Sequence, residues 1–116
     1  MKEPMRLDEL LKEKNLESEE SVALFAVINL GLVESLVNGV LTASDAVRFF
    51  YSGENCLFVR KRLKNKLADQ LMSHGVQLPD LFDTLPPEEA FREFQLELAV
   101  MRSLCLKLLE IGKRVA

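Results

Sequence analysis

The alternation of apolar and polar positions divides the chain into helical segments around one dominant stretch. Residues 22–41, VALFAVINLGLVESLVNGVL, are the most apolar part and carry a single charge, Glu34. Twenty helical residues span about 30 Å, enough to cross a bilayer. The polar residues argue otherwise: Gly31, Glu34, Ser35, Asn38 and Gly39 fall on one side, while the first half is apolar all round. That pattern predicts a central bundle helix with a wetter edge, over about 18–38. Ser18 is its expected N-cap, Glu19 and Glu20 suit the first turn, and Gly39 is the expected C-terminal stop. Asn29 lies apart from the polar edge, among apolar positions. It is therefore expected to be a buried Asn with a hydrogen-bond partner, either inside the chain or in a second copy.

The flanking segments are amphipathic. In residues 5–14, Leu7, Leu10 and Leu11 form a narrow stripe on a short helix that is marginal alone and must dock on something. Thr42 with Asp45 three residues on predicts a capped short helix over 43–51. Residues 54–74 are expected to form one long helix with the stripe Cys56, Val59, Leu63, Leu67 and Leu71, ended by Gly75, with His74 facing its last carbonyls. Leu78, Leu81, Phe82 and Leu85 are expected to plug the bundle end, with a single helical turn at 79–83. Pro86–Pro87 opens a last helix to about residue 111. Its residues Phe91, Phe94, Leu98, Met101, Cys105 and Leu108 step by 3 and 4, which predicts a packing seam. A second apolar line, Leu96, Val100, Leu104 and Ile111, lies on another face.

The expected fold is an all-α, single-domain bundle of about four helices, over 18–116, with a short N-terminal helix or arm over 1–17. Period-two alternation, which would signal strands, is absent. With 116 residues, 48% hydrophobic and 28% charged, the chain has an ordinary globular composition. The N-terminus lacks the apolar run of a signal peptide, so a cytoplasmic setting is expected.

The chemistry-bearing residues are sparse. One His and two well-separated cysteines, Cys56 and Cys105, offer neither a metal-ligand cluster nor a disulfide framework. No G-x-S-x-G and no glycine-rich phosphate loop occurs. These absences favour a non-enzymatic chain with no metal and no cofactor. Glu89, Glu93 and Glu97 line up at i, i+4 and i+8; this is expected to be a solvated face with some interhelix pairing, for which the run 60–66 could supply the basic partner, with an acidic docking surface as the alternative.

The leading expectation is a helical interaction protein, a homodimer or a small accessory or regulatory subunit, whose partner is itself or another protein. Its interface residues would be Leu96, Val100, Leu104 and Ile111, and secondly Leu7, Leu10 and Leu11, with a rim of Glu93, Glu97 and Lys107. The alternative is nucleic-acid binding through Arg60, Lys61, Arg62, Lys64 and Lys66. The net charge of −3 weakens that alternative, and so does the placement of the basic residues on both sides of an apolar stripe. A bundle holding an apolar small ligand is the third reading.

Overall fold

The computed structural model describes residues 4–12 and 18–113, without the side chains of 12, 18 and 111–113. It contains six α-helices and one π turn: α1 (Leu7–Lys12), α2 (Ser18–Val37), α3 (Ala43–Phe49), α4 (Gly53–Phe58), the π turn (Val59–Leu63), α5 (Lys66–Thr84) and α6 (Pro87–Lys113). No strand occurs among the described residues. The fold is an all-α bundle in one domain, with two more helical pieces than the sequence pattern suggests.

The central layer is α2 packed along α6, with α5 packed on α6 and also touching α2. Phe25, Ala26, Leu32, Val33 and Leu36 form the buried face of α2. The seam of α6 is buried at Phe94, Leu98, Met101, Cys105 and Leu108, as the 3–4 spacing predicts. Gly39 stops α2 with a φ of 73°, a left-handed geometry that glycine adopts without strain. Thr42 caps α3 by accepting the Asp45 N–H at 3.1 Å. The expected cap at Ser18 lies outside the described side chains.

The segment 54–74 is not one helix. The Lys64 N–H bonds to the Val59 carbonyl, five residues back, and Lys64 then turns left-handed at φ 49°. Asn65 restarts the helix by accepting the Ala68 N–H at 3.0 Å. The reason is phase. Apolar residues four apart drift by about 40° per step on an ideal helix, so the stripe from Val59 to Leu71 would wind off the core. The break resets it, and Val59, Leu63, Ala68, Leu71 and Met72 are all buried.

Gly75 does not end a helix either, and His74 is therefore not a C-terminal residue. α5 runs through Gly75 and Pro79 to Thr84, and residues 79–83 belong to it. Gly75 is there because the Tyr51 ring lies against its backbone: a Cβ at Gly75 would fall within 2.6 Å of Tyr51 Cε1. The Tyr51 hydroxyl donates to Asn29 Oδ1 at 2.9 Å, and Asn29 Nδ2 donates to the Phe25 carbonyl at 3.0 Å. Asn29 thus has its partners within its own chain. It joins α2 through Tyr51 to α5.

Asn55 makes a second polar joint. Its Oδ1 accepts the Leu7 N–H at 3.1 Å, while Nδ2 donates to the carbonyls of Met5 (2.9 Å) and Phe50 (2.8 Å). The Met5 N–H donates to the Phe49 carbonyl at 2.8 Å. These bonds seat α1 so that Leu7 and Leu11 enter the common core. α1 is docked on the bundle through α4.

Burial holds the Tyr51 hydroxyl proton well above the usual tyrosine range and pushes the Cys105 thiol up to about 12. Unfolded, the two groups ionise near about 10 and about 8.5. Above those values the unfolded chain holds fewer protons than the folded one, so stability falls as pH rises. Each group removes about 1.4 kcal/mol per pH unit between its unfolded and folded values. Urea midpoints are therefore expected to decline above about pH 9, less steeply in Tyr51→Phe. A midpoint unchanged at about pH 11 would contradict this placement of the two groups.

Candidate functional site

An apolar opening lies where four elements meet. Leu36 and Val37 close α2, Leu41 to Ser44 lead into α3, Pro79, Phe82 and Asp83 come from the last turns of α5, and Phe91, Phe94 and Gln95 from the early turns of α6. They line a groove of about 440 Å³. Its floor is core, with Leu36, Leu41 and Phe94 buried. Its walls are not: Phe91 is 59% exposed, Phe82 46% and Val37 44%. Phe82 stands edge-on to Phe94, with ring centroids 5.1 Å apart. Val40, in the adjoining turn, is 76% exposed. Large apolar side chains clustered around a concavity are a feature that folding alone does not require.

The sequence pattern places two of these residues wrongly. Phe91 is the first step of the 3–4 seam yet stands outside it, 59% exposed, while its neighbour Ala90 takes the buried side of that turn. Phe82 is not a buried plug. It lies on the exposed side of α5, one turn beyond Pro79.

Of the interface residues expected from the sequence, Leu96 (55% exposed), Val100 and Leu10 stand at the surface. Leu104, Leu7 and Leu11 are buried in this chain's own core and are not free to meet a partner. Ile111 lies outside the described side chains. Among the described side chains of that line, the exposed ones are Leu96 and Val100, one turn apart.

The basic run lies on the π turn and the start of α5. Arg60, Lys61, Arg62, Lys64 and Lys66 are all exposed. Arg60 approaches Asp69 at 3.9 Å. Lys61 and Arg62 share a hollow with Arg6, Leu57 and Phe58, but Asp8 and Glu54 line it too, which dilutes its positive field. No ion pair joins the run to the acidic line of α6 among the described residues. Glu97 meets His74 Nδ1 instead, and Glu89 and Glu93 are exposed.

No three His, Cys, Asp or Glu side chains converge among the described residues. Burial raises both thiols, which disfavours the thiolate needed for nucleophilic attack or metal ligation. Among the described residues no buried side-chain polar atom lacks a partner. The polar interior is therefore satisfied structure, and what the chain offers outward is surface.

Comparisons with family models, curated proteins and solved structures found no match.

Proposed function

We propose that the chain is a non-enzymatic interaction protein, an accessory subunit that seats an apolar segment of a partner in the groove between the ends of α2, α5 and α6. The observation that carries this reading is the group Phe91, Phe82 and Val37, exposed around a concavity whose floor is already core. Burying such side chains on a partner is worth about 25 cal/mol for each Å² of apolar surface removed from water. Aromatic residues set in pockets are the usual anchors of protein interfaces. The polar interior offers no competing role, since its buried side-chain groups are occupied with one another.

The test places a photo-cross-linker at two sites of the full chain in its native cells, Phe91→benzoylphenylalanine in the groove and Leu96→benzoylphenylalanine on the outer face of α6. A discrete partner captured from position 91 and lost when Val37→Asp is added supports the groove. Capture from position 96 alone would move the interface to α6. A cross-link between two copies of purified protein through position 96 would favour the homodimer.

A further inference from the structure

The charge around the groove specifies its occupant, granted the docking reading above. Residues 79–95 hold five acids, Asp80, Asp83, Glu88, Glu89 and Glu93, against one base, Arg92. All six are exposed, and none of the five acids is in an ion pair among the described residues. Asp83 lines the groove itself, and Glu88 sits one turn before Phe91 on the same side of α6.

An apolar concavity flanked by unpaired carboxylates repels an anionic lipid surface or an acidic peptide and attracts a cationic amphiphile. From this complementarity we infer that the groove takes a basic amphipathic helix of a different protein. Apolar side chains at i, i+3, i+4 and i+7 would sit between Phe82 and Phe91, and Lys or Arg would reach Asp83 and Glu88.

The basic segment 57–66 of a second copy does not qualify, since it commits Val59 and Leu63 to the core and has no free apolar stripe to offer. The floor residues Leu36, Leu41 and Phe94 are already packed, so the guest is held by groove walls on one side only. That favours a segment that carries its own helical structure into the site over a small enclosed ligand.

The test uses three synthetic peptides of about fourteen residues, alike in their leucine positions and carrying Lys, Gln or Glu elsewhere. Binding to the full chain is followed by fluorescence anisotropy and by methyl chemical shifts. The Lys peptide is expected to bind about tenfold more tightly than the Glu peptide at roughly 0.05 M salt, with the gap closing at roughly 0.5 M. Shifts should centre on Leu36, Val37 and Leu41. Asp83→Asn/Glu88→Gln should remove the preference for Lys while leaving the melting temperature in place, and Phe91→Ser should weaken all three peptides.

Equal binding of the Lys and Glu peptides at the groove overturns the charge assignment and leaves the docking reading standing. Shifts centred on the π turn rather than the groove overturn it as well. Failure of every peptide, together with no capture from position 91 in cells, sinks both. A groove that takes only a fatty acid or detergent overturns the peptide and makes this an apolar-ligand site.

Discussion

Gly75→Ala is expected to cost about 2–3 kcal/mol, a fall in melting temperature of roughly 10 °C or more, although alanine is the better helix former. In an open helix the same change gains up to about 1 kcal/mol. At Gly75 the new methyl would overlap the Tyr51 ring, 2.6 Å from Cε1. The ring has no easy retreat. It is 1% exposed, edge-packed on Phe50 with centroids 5.2 Å apart, and tied by its hydroxyl to Asn29. Pro79 weakens the neighbourhood further, since it has no N–H for the Gly75 carbonyl one turn back. Gly31 provides the internal control. It is helical, with nothing within 4 Å of an added Cβ, so Gly31→Ala should stabilise. Thermal melts of the two variants should move in opposite directions. If Gly75→Ala melts at or above the parent temperature, Tyr51 does not lie where it is placed.

Asn55→Ala is expected to cost about 3–4 kcal/mol and to release the N-terminal helix first. The substitution removes one acceptor and two donors, leaving the Leu7 N–H and the Met5 and Phe50 carbonyls without their partner. Each buried polar group left unpaired costs about 1–3 kcal/mol. Loss of the clip frees Leu7 and Leu11, which are otherwise 0% and 4% exposed, and the groups beneath them meet water. Hydrogen exchange should show the amides of α1 losing protection while those of α6 keep theirs. Asn55→Asp should be worse at neutral pH, because a carboxylate would face two carbonyl oxygens. An unchanged exchange pattern in α1 would show that Asn55 does not hold it.

Much of the bundle is legible in the sequence because it rests on local rules. α2 and α6 follow from periodicity, the start of α3 from Thr42 and Asp45, and the end of α2 from Gly39. The errors share a cause: a local signal that tertiary structure uses for something else. Gly75 followed by Pro79 has the grammar of a helix end, but here the glycine makes room for a ring from another element. The apolar stripe through Val59, Leu63 and Leu67 looks continuous because residues four apart drift only slowly, and the break at Lys64–Asn65 becomes visible only when the core asks for a new phase. Asn65 with Asp69 in the turn after it is the one trace of that break in the sequence. Asn55 left no trace, since two of its three partners, Met5 and Leu7, lie 50 and 48 residues away.

The groove was the least legible feature. It is assembled from the ends of four elements, and the cap signals at Gly39 and Thr42 mark where two of them end or begin without showing that they meet. Phe91 and Phe82 each look like core residues in their own helix, yet both stand exposed at the groove. The acids of residues 79–95 were visible as a charge imbalance, but nothing in the sequence set them beside an apolar opening.

The chain holds one tyrosine and no tryptophan. Tyr51 is therefore the dominant near-ultraviolet chromophore, and it sits at the junction of α2, the α3–α4 connection and α5. Nature has placed a single optical reporter at the point where the bundle closes. Its circular dichroism and absorbance should register the coming apart of that junction specifically, so a variant that loosens only the N-terminal helix will look intact by this signal while one that disturbs Gly75 will not.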